Sequence, residues 1–254
     1  MTRILAVANQ KGGVGKTTTS VNLGASLAAA KRRVLLVDLD PQGNATMGSG
    51  IDKAQLAYSV YHVLLGAVPA AAARVRSEVC GYDLLPTNRH LAGAEIELVE
   101  MPERELRLKR ALSVIADQYD YVLIDCPPAL SLLTLNAFAA ADAVMIPMQC
   151  EYYALEGLSD LIDTIKRVRA HINPRLDIEG LLRTMYDPRN TLAQQVSAQL
   201  TQHFGNKVFR TVIPRNIRLA EAPSYGRPVI EFDRQSKGAL AYLALAGEML
   251  NRAA

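Results

Sequence analysis

Two rhythms of apolar residues alternate along almost the whole chain. Short, nearly unbroken β-type runs at residues 4–8, 33–37, 82–85, 119–124, 143–148, 178–185 and 208–213 read as strands. Continuous apolarity marks a strand covered on both sides, because successive side chains point to opposite faces of a sheet. Between these runs the spacing changes. Residues 155–171 place Leu158, Leu161, Ile162, Ile165 and Val168 on one helical face, and residues 19–30, 192–204 and 236–251 also read as helices. A short helix is expected over residues 59–65. Residues 91–118 form a helical stretch interrupted at Pro102, since proline removes a donor and clashes with the preceding turn. The rest of residues 44–80 carries little signal beyond an alanine-rich piece after Pro69. Strand and helix in alternation predict an α/β fold: one domain over residues 1–254, a mostly parallel twisted sheet with helices on both faces.

The polar residues that interrupt this pattern collect just after strands. Asn9-Gln10-Lys11-Gly12-Gly13-Val14-Gly15-Lys16-Thr17-Thr18 lies between the first strand and the first helix. Glycines there let successive backbone N–H groups turn toward one anion, with no Cβ to block the approach or the positive φ values required. In that context Lys16 would place an ammonium on the β- and γ-phosphates of a nucleotide, and the Thr17 hydroxyl would ligate Mg²⁺. The ordinary phosphate-loop pattern is not met, because Gln10 stands where its first glycine should be. A second lysine, Lys11, precedes the glycines instead.

Two further strand ends carry carboxylates. Asp38 and Asp40 follow the second strand and are turned by Pro41 and Gly43, while Asp125 ends the strand before Pro127 and Pro128. In open α/β sheets this strand-end edge is where ligands bind. Asp125 would hold a Mg²⁺-bound water opposite Thr17, as a Walker B acid does. Asp40 either positions the attacking water or caps its turn, with Asp38 behind it as an anchor of the loop or of the Mg²⁺ shell. Lys11 is either a solvated surface lysine or a cation that reaches across a face-to-face dimer to the partner's nucleotide. Two triphosphates facing each other in a water-poor seam repel strongly, and a lysine from each side would offset that repulsion only when both sites are filled. No Gln or Arg stands in an obvious activating motif, so intrinsic hydrolysis is expected to be slow.

Composition narrows the setting. Half of the 254 residues are hydrophobic, enough for a sizeable core, and no apolar run approaches a membrane span. Arg3 is followed at once by the first strand, with no export signal, and Cys80, Cys126 and Cys150 are too scattered for a disulfide framework. The expectation is a cytoplasmic protein with reduced thiols. Net charge is only +3, but residues 166–237 hold thirteen Lys and Arg against six Asp and Glu, a net of +7. A basic third on a near-neutral chain suits a face that meets a polyanion.

The loop resembles the deviant Walker A motif of the ParA/MinD group of P-loop ATPases. With L-V-D-L-D-P-Q-G-N-A-T, Y-V-L-I-D-C-P-P, E-Y-Y-A-L-E-G-L, T-M-Y-D-P-R and I-P-R-N-I-R-L-A-E-A-P-S-Y-G, the chain resembles the small chromosomal-type ParA (Soj) proteins over nearly its full length. That resemblance implies a single P-loop ATPase domain that uses ATP and Mg²⁺. It also implies an ATP-dependent homodimer that binds double-stranded DNA without sequence preference, and a ParB-type partner that stimulates hydrolysis. The cycle would segregate chromosome origins or plasmids in the cytoplasm, on the nucleoid. Residue by residue, it implies Lys11 as the signature lysine and Gly12, Gly13, Val14, Gly15, Lys16, Thr17 and Thr18 as the phosphate loop. Thr17 and Asp125 would serve the metal, Lys11, Lys16 and Asp40 catalysis, Pro214 and Asn216 the adenine, and Arg189 and Arg218 the DNA. Alternatives on the same scaffold are a positioner of another cargo, such as carboxysomes or chemoreceptor clusters, a MinD-like membrane-surface regulator, and a biosynthetic or metal-carrier enzyme. The tail at residues 239–246 carries no charge, so it reads as a packed helix rather than a basic membrane anchor. The loop begins too near the start for the N-terminal DNA-binding domain of larger plasmid relatives, so operator-specific repression is not expected.

Overall fold

The strands assemble because their side chains are apolar on both faces, which leaves no face for water. The computed structural model describes residues 2–152 and 154–252; Tyr153, inside the E-Y-Y-A-L-E-G-L run, lies outside them. In chain order the elements are β1 (Arg3–Val7), α1 (Lys16–Ala29), β2 (Val34–Asp38), α2 (Asn44–Gly48), α3 (Val60–Leu65), α4 (Ala70–Ala73), β3 (Val75–Ser77) and β4 (Tyr82–Leu85). There follow α5 (Leu91–Glu97), α6 (Arg107–Ser113), β5 (Tyr121–Asp125), α7 (Leu132–Ala140), β6 (Ala143–Gln149) and α8 (Ala154–His171). The chain closes with β7 (Asp177–Tyr186), α9 (Thr191–Phe204), β8 (Val208–Pro214), α10 (Ile217–Glu221), α11 (Val229–Phe232) and α12 (Lys237–Arg252).

Among the described residues the sheet has eight strands, in the order β3-β4-β2-β5-β1-β6-β7-β8. Seven are parallel; only the edge strand β3 runs antiparallel, against β4. β1 sits between β5 and β6, with Val7 level with Asp125 on one side and Met145 on the other. The chain leaves β1 toward β2 but crosses from β5 to β6 on the far side, so the order reverses at β1. A crevice opens beyond the C-terminal ends of strands at such a point.

Neighbouring residues feed different layers. Leu5, Leu36, Leu123 and Met145 join the cluster under α1 and α12, while Ala6, Leu35, Ile124 and Val144 join the one under α3 and α5 to α9. α12 is the packed helix expected: Tyr242, Leu245 and Met249 are buried, and the Tyr242 hydroxyl lies 3.1 Å from Thr19 Oγ1. No helix among the described residues is long and apolar enough to cross a membrane. The three cysteines are buried and unpaired.

Departures from the expected elements have physical causes. α7 gave no sequence signal because seven of its nine residues are buried, which leaves no polar stripe to reveal a period. α1 starts at Lys16 rather than at residue 19, since the end of the glycine loop is already wound into it and the Thr19 N–H bonds the Gly15 carbonyl. The stretch around Pro102 splits into α5, α6 and short 3₁₀ turns. α2, α4 and β3 are three to five residues each, too short for periodicity to register, and they depend on neighbours for their shape.

Candidate active site

Three strand tips meet in the crevice: β1 with its loop, β2 with Asp38, and β5 with Asp125. Gly13 and Gly15 adopt φ of +73° and +89°, the left-handed region that side chains resist. A Cβ built at Gly12 or Gly13 would meet no atom within 4 Å, so the loop borders open space on that side. The fourteen-residue helix α1 follows directly and aims the positive end of its dipole at the same space.

Lys16 is 7 % exposed and its Nζ donates to the Lys11 carbonyl at 3.1 Å. Burial lowers its pKa, and the Asp125 charge works in the opposite direction. Asp125 is wholly buried. Its Oδ2 accepts from Thr17 Oγ1 at 2.8 Å and its Oδ1 from Ser20 Oγ at 2.9 Å. Desolvation, and then repulsion by Asp38, push its carboxyl up to about 8, although the two hydroxyls favour the charged form. Asp38 is also wholly buried and raised, chiefly by desolvation; Thr46 N–H and Oγ1 donate to its Oδ2 at 2.8 and 2.7 Å, and Asp40 N–H to its Oδ1 at 3.2 Å. Two buried carboxylates raised together form a place where a cation is favoured. Thr17 and Asp125 offer hard oxygen donors, the set that suits Mg²⁺.

The other candidates divide. Asp40 meets its turn-capping reading: Oδ1 accepts from Gln42 N–H at 3.0 Å, and Oδ2 has no hydrogen bond among the described residues. Lys11 stands at the mouth of the loop, half exposed, with Nζ 2.5 Å from Glu151 Oε2. Pro214 and Asn216 lie at the tip of β8, three strands from β1, where Asn216 Oδ1 caps α10 by accepting from Leu219 N–H. None of their hydrogen bonds reaches the loop. Arg189 follows β7 and is 88 % exposed, yet it grips Asp187 through Nε and Nη2 at 3.0 and 2.8 Å. That guanidinium holds the Asp187 carboxyl down at about 2. Arg218, on α10, pairs with Glu221 and Asp233.

Ser20 and Thr46 were not singled out from the sequence. Ser20 lies three residues after Thr17 on α1, so helical spacing places both hydroxyls on one face toward Asp125. Thr46 had no such signal; it reaches Asp38 only because the β2 turn folds back. A surface depression of about 2100 Å³ lies at the opposite end of the sheet around Arg3, Glu179, Lys207 and Arg252. Six of the charged residues around it form pairs, Arg3 with Glu179, Lys207 with Asp177 and Arg252 with Glu248.

A glycine loop feeding a helix at the centre of a parallel sheet, with a buried acid facing the helix's first turn, is the arrangement of a P-loop nucleotide site. A family model described as an AAA domain matches residues 2–178. The chain is 53 % identical over 252 residues to the chromosome partitioning protein ParA of Caulobacter vibrioides, covering 98 % of this chain and 94 % of that one. It is 55 % identical over 249 residues to the sporulation initiation inhibitor protein Soj of Bacillus subtilis, covering 98 % of each. A solved structure from Mycobacterium smegmatis, named cobyrinic acid a,c-diamide synthase and holding ADP and magnesium, superposes with a TM-score of 0.87 at 44 % identity, covering 99 % of this chain and 95 % of that one. The chain belongs to the ParA/Soj family of chromosome-partitioning ATPases.

Proposed function

We propose that this ATPase binds ATP with Mg²⁺, pairs face to face in that state, holds DNA without sequence preference, and lets go when a ParB-type partner speeds hydrolysis. The observation that carries this reading is the division of labour between two lysines. Lys16 is buried within its own loop, while Lys11 stands outside it, tethered only by an exposed ion pair to Glu151. An exposed pair of this kind contributes about 0–1 kcal/mol, so a partner's phosphates can displace it.

The chain's residues then take the following parts. Lys16 and the loop N–H groups of Gly12 to Thr18 neutralise and orient the phosphates. The Thr17 hydroxyl and the Asp125 carboxylate hold the metal, with Ser20 fixing the carboxylate's orientation. Magnesium, when bound, spreads the charge that develops between the β- and γ-phosphates. Asp40 Oδ2 orients the attacking water, and Asp38 holds Asp40 in place through its backbone N–H. Pro214 and Asn216 frame the adenine. Without an activating arginine of its own, the enzyme forgoes about three to five orders of magnitude in rate until a partner acts. Arg189 and Arg218 would exchange their carboxylate partners for DNA phosphates, so binding falls steeply with salt. The setting is the cytoplasm, on the nucleoid.

Burial of Tyr242, Leu245 and Met249 argues against α12 as a membrane-binding helix. The test is size-exclusion chromatography of Asp40→Ala with ATP, ADP or neither, with and without plain DNA. A dimer with ATP alone, retaining DNA only in that form, is expected. A dimer in ADP, or DNA retention by the monomer, overturns the reading.

A further inference from the structure

We infer that Thr184, assisted by Gln149, is a positioning residue that aims the phosphate loop's N–H groups before any nucleotide arrives. Thr184 lies near the C-terminal end of β7, more than 160 residues from the loop in sequence, and is 2 % exposed. Its Oγ1 donates to the Val14 carbonyl at 2.7 Å, and its Cγ2 would stand 3.8 Å from a Cβ at Gly15. Gln149, the last residue of β6, donates from Nε2 to the Gly13 carbonyl at 3.4 Å.

The consequence follows from the planar trans peptide. Its C=O and N–H point in opposite directions, so holding one fixes the other. Drawing the Val14 carbonyl toward β7 turns the Gly15 N–H away from β7. Drawing the Gly13 carbonyl toward β6 does the same for Val14 N–H. Two successive N–H groups directed away from the strands, at a left-handed glycine, form the concave donor arrangement that receives an anion. The loop's glycines allow that arrangement, but they equally allow others. The two strand-tip side chains select it.

A second observation bears on the same point. Met185, next to Thr184, holds φ at +47°, a conformation a methionine rarely takes. The Gln149 Nε2 that reaches Gly13 also lies 2.8 Å from Met185 Sδ. Strained residues of this kind persist where surrounding contacts impose them and gather at ligand sites. Here the strain sits where β7 presents its hydroxyl to the loop.

This inference rests on reading the loop as the nucleotide site, and Lys16→Ala separates the two claims. If Lys16→Ala binds a fluorescent ADP analogue with Mg²⁺ as the parent does, that site reading fails and this inference falls with it. If Lys16→Ala loses binding, three other variants decide the role of the strand tips. Thr184→Val removes the donor and keeps the shape; its Kd at 25 °C should rise about tenfold, the loss of a well-aimed donor to a charged group. Thr184→Ser keeps the hydroxyl and should stay within about twofold of the parent. Gln149→Leu, at a half-exposed position, should weaken binding about threefold. A merely structural Thr184 would lower the melting temperature without moving Kd, so an unchanged Kd in Thr184→Val overturns the proposal. Equal weakening in Thr184→Ser also overturns it, because methyl packing would then be responsible. Should Thr184→Val fail to fold, Gln149→Leu and Thr184→Ser still decide: parent-like affinity in the first, or weakening in the second, refutes the role.

Discussion

The two ends of the sheet handle charge in opposite ways. At the N-terminal ends of the strands, Arg3 meets Glu179, Lys207 meets Asp177, and Arg252 meets Glu248. At the C-terminal ends, Asp38 and Asp125 lie wholly buried with no salt bridge to either among the described residues, only the longer-range pull of Lys16 on Asp125, and both resist ionising. Three ion pairs tie up charge at the first end, whereas the second concentrates buried acids beside the phosphate loop. Buried groups kept from their ordinary ionisation, facing a cleft, are what a binding site requires.

The sharpest way to break this contrast is at Lys16. Lys16→Ala should weaken nucleotide binding by more than about a hundredfold in titration with a fluorescent analogue, since it removes the one buried cation of the cradle. Folding should be retained. Next in size, Glu179→Ala should destabilise the fold by about 2 kcal/mol in urea melts, the loss of a hydrogen bond to a charged group, yet nucleotide affinity should not move. A change in affinity there would mean that the two ends are not independent. Asp40→Ala should lower hydrolysis at least about tenfold while ATP binding persists, measured as phosphate release against Kd. Retained turnover would leave Asp40 only its turn-capping role.

A subtler test uses pH. A carboxyl whose folded pKa lies above its unfolded value lets the folded state hold the extra proton. Stability is therefore complete at low pH and is lost as pH rises from the ordinary carboxylate range toward the folded value, about 8 for Asp125. Urea melts in chelator, without nucleotide, should show the parent losing stability across that window. Asp125→Asn should flatten the dependence. If the parent's stability rises with pH there instead, the buried acids are not protonated and the contrast between the two ends disappears. The smallest expected effect is at the surface: Arg189→Glu should lower DNA retention at low salt, and raising salt should abolish what remains.

Much of this molecule could be read from its residues alone. Unbroken apolar runs announced seven strands, because a parallel sheet covered on both faces leaves its composition in the chain. The Gly12 to Thr18 loop and Asp125 were equally plain, since glycine conformation, a phosphate-facing lysine and a strand-end acid are local requirements met within a few neighbouring residues. Other features exist only in three dimensions. α7 has no polar face to betray its period, and the edge strand β3 is held by its pairing with β4 and by Ser77 on the Ser49 carbonyl. That Asp38 and Asp125 are neighbours, that Glu151 holds Lys11, and that Thr184 grips Val14 all join residues far apart in the chain. Local sequence determines what each strand end can offer. Only the order of strands across the sheet decides which of those ends face one another, because that order is set by packing between layers and leaves no trace in any single segment.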